Sequence, residues 1–173
     1  MKMEIKTMPQ MVEFLVKSIP ISLGEIKLSP ENEPLWNKNK NTKKVRVCCS
    51  GGFDPIHPGH ISYIEEALKL GDELLVILSR NDQLFMKKHK PPIPYEVRKT
   101  VLEWGLHGRG VVVENIDRDM NSRQSLRYYR PDIYAKGGDR RPDINPIPDS
   151  EIEACRDTGC KIIYNVGKRI QSS

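Results

Sequence analysis

The segment Gly51-Gly52-Phe53-Asp54-Pro55-Ile56-His57-Pro58-Gly59-His60 constrains the fold of this chain more than any other. Before it stands an apolar run, Val45 to Cys49, that reads as a buried strand; after it, Ile61 to Leu70 reads as an amphipathic helix. The order is strand, glycine-rich turn, two histidines, helix N-terminus. A helix N-terminus carries unpaired backbone N–H groups and a partial positive charge, which suits a phosphate. Gly51 and Gly52 let the backbone approach a bulky ligand. His57 and His60, three residues apart at the helix start, can then face that ligand together. The segment reads as a nucleotide site at which a phosphate reacts.

From Lys44 onward strands and helices alternate. The predicted strands are Val45–Ser50, Glu73–Ser79, Gly110–Glu114, Asp132–Lys136 and Lys161–Asn165. The predicted helices are His60–Leu70, Tyr95–Gly105, Ser122–Arg130 and Asp149–Asp157, with Gly71-Asp72 as the C-cap of the first and Pro94 opening the second. This alternation predicts an α/β, Rossmann-like, doubly wound parallel sheet of about five strands with helices on both faces. Ligands of such sheets sit at the carboxyl ends of the strands, where every motif singled out here falls. Residues 1–43 differ: a short amphipathic stretch, Met8 to Ile19, precedes Pro20, Pro30, Pro34 and the polar run Asn37 to Asn41, the chemistry of an extension and linker. The domain is therefore placed at 44–173.

With 173 residues the chain can bury one real core. Its mean hydropathy is −0.55, and no apolar run approaches the ~18 residues that span a bilayer. The N-terminus lacks a small-residue cleavage site, so a cytoplasmic location without membrane association is expected. The net charge of +5 permits nucleic-acid binding, but few aromatics interleave the basic clusters, which argues against a stacking platform for single strands. Small anionic substrates account better for Lys87, Lys88 and Lys90 and for Arg140 and Arg141. The spacings of Cys48, Cys49, Cys155 and Cys160 match no zinc knuckle, and free, buried thiols are expected. Trp104, at helical spacing from Val97 and Val101, reads as core. His89 and His107 are given no role.

Two further segments carry chemistry. After the fourth predicted strand, Lys136-Gly137-Gly138-Asp139-Arg140 offers a tight turn with exposed backbone. Asp139 suits a ribose or a base amino group, and Lys136 or Arg140 suits a phosphate. After the second strand, Asn81 leads into a loop through Pro91, Pro92 and Pro94, whose stiffness limits the range of Lys87, Lys88 and Lys90. At the end of the chain Ser172 and Ser173 have the chemistry of a phosphate-binding helix cap.

His57-Pro58-Gly59-His60 after Gly-Phe-Asp-Pro resembles the HxGH signature of the cytidylyltransferase-like nucleotidyltransferases. Lys136 to Asp139 is similar to the KGGD segment of that family, above all in its heptose-phosphate adenylyltransferase branch. Gln171-Ser172-Ser173 is similar to its Ser/Thr helix start, although the chain stops at Ser173, before the helix such a pair opens. The resemblance covers about 130 residues, Lys44 to Ser173.

It implies transfer of AMP or CMP from a nucleoside triphosphate to a phosphorylated sugar or alcohol, with release of pyrophosphate and no covalent intermediate. The acceptor phosphate is already a nucleophile, so the site must hold two anions in line and stabilise charge on the α-phosphate. His57, His60 and Lys88 are the implied catalytic groups. Gly51, Gly52, Phe53, Gly59, Arg98, Lys136, Gly138, Asp139, Ser172 and Ser173 are implied to bind nucleotide, and Asp54 and Asn81 to face the acceptor. Mg²⁺ is expected to arrive with the triphosphate; no residue is assigned to it. ATP with a sugar phosphate is slightly favoured. The alternatives are CTP with a polyol or amino-alcohol phosphate, archaeal FAD synthetase-like chemistry, or a regulatory domain that binds nucleotide without turnover. A homodimer is expected.

Overall fold

The structure, a computed structural model, describes residues 44–138, 140–143 and 145–168. The expectations for residues 1–43 and for Asp139, Ser172 and Ser173 lie outside that set. In chain order the elements are β1 (Arg46–Gly51), α1 (Pro58–Leu68), β2 (Glu73–Leu78), α2 (Asn81–Lys88), α3 (Tyr95–Leu106), β3 (Gly110–Glu114), α4 (Arg123–Tyr129), β4 (Ile133–Gly137), α5 (Asp149–Thr158) and β5 (Lys161–Val166). The strands form one parallel sheet in the order β3-β2-β1-β4-β5. The chain starts in the middle, winds outward through β2 and β3, and returns to the other side through β4 and β5. This is the doubly wound α/β sheet the alternation predicts. Among the described residues no helix is long and apolar enough to cross a membrane.

Successive side chains of a strand point to opposite faces, and a parallel sheet covered on both sides buries both sets. Val47, Cys49, Leu74, Val76 and Leu78 join a core with Tyr63, Ile64 and Ala67 of α1 and Leu102 and Leu106 of α3. Cys48, Leu75, Ile77 and Tyr134 belong to the opposite row and are equally buried, as are Leu126 of α4 and Ala154 of α5. Neighbouring Cys48 and Cys49 thus serve opposite layers. All four cysteines are free and buried.

Three readings of the sequence are corrected. Asn81–Lys88 is a helix, so Lys87 and Lys88 occupy its last turn and the proline-rich loop begins only after them. Gln83 caps its start by accepting from the Arg80 amide at 2.9 Å, a role the sequence gives little sign of. Trp104 is 74% exposed, because α3 turns Arg98, Leu102 and Leu106 inward and leaves Val97, Val101 and Trp104 on the outer face. The periodic stripe is real, but it is the wrong stripe. Gly71 is no left-handed cap: α1 ends at Leu68 with Lys69, φ −83°, as its C-cap, and Gly71 is required because a Cβ there would lie 2.7 Å from the Val45 carbonyl oxygen. Lys136 lies within β4, as in the predicted strand Asp132–Lys136. His89 and His107 are the left-handed C-caps of α2 and α3 (φ 54° and 47°).

After β5 the chain turns back across α1. Gly167 has φ +83°, and a Cβ on it would stand 2.7 Å from both the N and the Cα of Tyr63; the next amide, Lys168 N–H, donates to Ser62 Oγ at 2.9 Å. A side chain here meets backbone, which cannot rotate away. Gly167→Ala is expected to destabilise the domain by more than about 1 kcal/mol, read as a lowered urea midpoint with an unchanged slope. An unchanged midpoint would contradict this docking.

Candidate functional site

The β1–β4 ladder consists of Val47 opposite Ile133 and Cys48 opposite Tyr134, whereas β1 and β2 pair along all six residues from Arg46 to Gly51. Beyond Cys48 the two central strands are not laddered together. At that edge lies a cavity of about 560 Å³. It is walled by the loop after β1, by α2, and by Lys136 and Arg140 at the end of β4, with Glu151 of α5 behind. The chain reverses direction across the sheet between β1 and β4, and that switch point is where an open α/β sheet holds its ligand.

His57 and His60 both line this cavity. His57 is the N-cap of α1, and its Nδ1 accepts from the amides of Gly59 at 3.1 Å and His60 at 3.4 Å. A ring nitrogen that accepts carries no proton, so the neutral imidazole holds its proton on Nε2, the side turned from the helix. The two imidazoles stack, with centroids 3.6 Å apart and planes 23° from parallel, and Phe53 packs on His60 at 4.8 Å. The cap also changes the expected anion site. Pro58 has no N–H, and the Gly59 and His60 amides are taken by His57, the latter also by its carbonyl at 2.8 Å. The first turn therefore offers a ligand its dipole and the His57 imidazole in place of bare amides.

The two glycines serve the loop itself. A Cβ on Gly52 would fall 2.6 Å from Leu84 Cδ2, and one on Gly51 would fall 3.1 Å from the Phe53 ring. Both still line the cavity; Gly59 and Gly138 do not.

Arg98 does not reach into the cavity. It is buried, and its guanidinium donates to the carbonyls of Ile93, Gly52 and Ser79 at 2.8 Å each and to Asn81 Oδ1 at 2.9 Å. The expected nucleotide contact from Arg98 and acceptor contact from Asn81 thus fall on two residues that do not line the cavity. The two side chains hold each other, and Arg98 ties the loop after β1 to the loop after β2. Burial lowers the Arg98 pKa, against which the charge of Asp54 acts.

Asp54 and Lys88 form a second tie. Lys88 Nζ donates to Asp54 Oδ2 at 2.7 Å and to the Asp54 carbonyl, while Asp54 Oδ1 accepts from the Ile93 amide at 2.9 Å. Burial pushes the Asp54 carboxyl up, but the Lys88 and Ile93 hydrogen bonds and the Lys88 and Arg98 charges outweigh it and hold the group below its ordinary value. Both residues line the cavity, and Lys88 enters it from α2 already paired.

At the opposite wall Lys136 Nζ donates to Tyr134 Oη at 2.8 Å and stands 3.3 Å from Ser50 Oγ and 3.5 Å from Glu151 Oε2. Burial, reinforced by Arg140, keeps its pKa below the usual lysine range, and Glu151 opposes that fall. Arg140 is steadied by Asn145 Oδ1 and the Pro146 carbonyl, both at 3.1 Å. Ser50, Tyr134 and Glu151 were not singled out in the sequence; only the acidic residue three places after Pro148, at a helix start, gave a signal.

Residues 48–162 match the family model described as Cytidylyltransferase-like. A protein named FAD synthase from Aciduliprofundum boonei is 34% identical over 123 residues, covering 68% of this chain and 74% of that one. The FAD synthase of Archaeoglobus fulgidus is 37% identical over 114 residues, covering 66% and 79%. Among solved structures, the lipopolysaccharide core biosynthesis protein of Thermoplasma volcanium aligns with a TM-score of 0.56 at 25% identity, over 73% of this chain and 99% of that one.

The Asp54–Lys88 tie predicts an acid response. A carboxyl whose folded pKa is depressed contributes stability above its unfolded value, about 3.9, and loses it as pH falls through the lower folded value. Asp54→Asn is expected to cost about 1–2 kcal/mol at pH 7 and to flatten the loss of stability below about pH 4, measured by urea denaturation across pH. Equal stabilities of wild type and variant at pH 7 would contradict it.

Proposed function

The chain belongs to the cytidylyltransferase-like family of nucleotidyltransferases, and from that membership we propose that it transfers AMP from ATP to the phosphate of FMN, forming FAD and pyrophosphate. The observation that carries the reading is the His57–His60 pair: two stacked imidazoles on the cavity wall, one with its proton fixed on the side away from the helix. The curated relatives named FAD synthase support the nucleotide and the acceptor. Leu84, Met120 and Pro148 line the same cavity and give an isoalloxazine ring apolar walls.

In the proposed reaction an FMN phosphate oxygen attacks the α-phosphorus of ATP, the bond to the bridging α,β oxygen breaks, and pyrophosphate leaves with that electron pair. His57 Nε2–H and His60 donate to the phosphate oxygens on which charge builds up, and the dipole of α1 adds to them. Lys88, oriented by Asp54, and Lys136 flank the polyphosphate. Among the described residues the cavity carboxylates are already engaged, Asp54 by Ile93 and Lys88, Glu151 by Ser122 and Tyr134. That donor set suits an anion, so Mg²⁺ would be held mainly by the phosphates, where it withdraws charge from the leaving group. A sugar-phosphate acceptor is the second reading, favoured by the likeness to the lipopolysaccharide core biosynthesis protein.

The test is pyrophosphate release with Mg²⁺ from ATP, CTP, GTP and UTP in turn, each against FMN, heptose 1-phosphate and glycerol 3-phosphate. ATP with FMN is expected to react. His60→Ala, which removes one transition-state donor, should lower kcat by about a hundredfold or more. Reaction of CTP with the alcohol phosphate, or ATP binding with no release from any pair, would overturn the proposal.

A further inference from the structure

Tyr134 Oη donates to Glu151 Oε2 at 3.0 Å. Its one proton is thereby used, so the Ser50 hydroxyl, 2.6 Å away, must donate to the Tyr134 oxygen. The same oxygen accepts from Lys136 at 2.8 Å. Glu151 Oε1 accepts from the Ser122 amide at 2.9 Å, the residue before α4. Each polar atom in this set has a defined direction, and the set runs from β1 through β4 to α5 and the start of α4. Lys136 and Glu151 are both buried (8% and 4% exposed), yet both line the cavity.

The ammonium is held unevenly. Its bond to Tyr134 is short, but the Ser50 and Glu151 oxygens, at 3.3 and 3.5 Å, lie at or past the limit of a good hydrogen bond. Two of its three N–H groups are therefore loosely engaged and can turn to an anion above them. Lys88, in contrast, is closed onto Asp54 at 2.7 Å. Lys136 also stands at the register shift between Ala135 and Gly137 in the β4–β5 ladder, the kind of irregularity that re-aims a side chain.

We propose that Glu151 is a positioning residue for nucleotide binding: through Tyr134 and by its own charge it keeps the Lys136 ammonium charged and placed at the cavity floor, where it takes a phosphate of ATP. The inference rests on the reading of the cavity as an ATP site, and not on the identity of the acceptor. Among the described residues, the groups facing Lys136 are Glu151 from α5, Tyr134 on its own strand, Ser50 and Cys48 from β1, and Arg140 from the following loop. Glu151 is the carboxylate among them. Its replacement by an amide removes the counter-charge and lets an NH₂ group face Tyr134 Oη, reversing that bond.

The experiment is calorimetric ATP binding between pH 6 and 10 with wild type, Glu151→Gln, Lys136→Met and the double variant, circular dichroism confirming that each folds. Lys136→Met is expected to weaken ATP about tenfold or more at pH 7. In Glu151→Gln the pH at which affinity falls should move down by about one unit, because an ammonium without its counter-charge loses its proton earlier. The double variant should bind no more weakly than Lys136→Met. If Glu151→Gln does not fold, Tyr134→Phe takes its place, with a smaller shift in the same direction. A merely structural Glu151 would lower the thermal midpoint and leave the pH profile in place; that result, or unchanged affinity in Lys136→Met, overturns the inference. ATP binding without FAD formation overturns the FMN reading alone.

Discussion

The loops that wall the cavity are tied together by the buried guanidinium of Arg98. Arg98 spends its guanidinium on three carbonyl groups and one amide oxygen, joining the loop after β1, the loop after β2, the start of α2 and the approach to α3. The strands of a parallel sheet end in unpaired backbone at their carboxyl edge, and buried carbonyls there must find donors. A guanidinium, with five donors in a fixed plane, meets that need at several points at once. Where a shorter or more mobile cation would satisfy one loop, Arg98 fixes the distance between two. His57 and His60 gain from this directly, since the segment that carries them begins at Gly52, whose carbonyl Arg98 holds.

The site is then a matter of where charge is left unspent. Arg98 is committed to the protein's own oxygens, Lys88 lines the cavity paired with Asp54, and Arg80 clasps Asp82 at 3.0 Å. His57 spends one nitrogen on the helix cap and keeps the other. Lys136 spends one N–H firmly and holds two loosely. A site that stabilises a transition state gains most from donors already oriented before the ligand arrives, and here the orientation comes from the cap, the stack and the β4 register shift.

Much of this was legible in the sequence, and the exceptions have physical reasons. Five strands of β-branched and apolar residues, each followed by a turn, reveal the sheet because a covered parallel sheet requires them. The HxGH segment was legible as two imidazoles at a helix start because that is a local feature; that the helix begins at Pro58 rather than His60, with His57 as its cap, was not. What hid was long-range. Arg98 looks like a surface helix residue until Gly52 and Ser79 are brought to it. Asn81–Lys88 has a polar, lysine-rich sequence, and its stability comes from burying Gln83 and Leu84 against loops that only the fold supplies. Trp104 misled because periodicity identifies a stripe without saying which side faces in. Glu151 lies 15 residues beyond Lys136, and nothing between them signals that they meet.

The helix cap leaves the neutral His57 ring its proton on Nε2, and in the proposed reaction that N–H is the donor to the ligand's phosphates. Long-range ¹H–¹⁵N correlation of histidine-labelled protein, with and without ATP and Mg²⁺, tests it directly. The account predicts a bare Nδ1 and a protonated Nε2 in the neutral His57 ring, with the Nε2 signal shifting as ATP binds. A proton on Nδ1, or an Nε2 signal indifferent to saturating ATP, would contradict it.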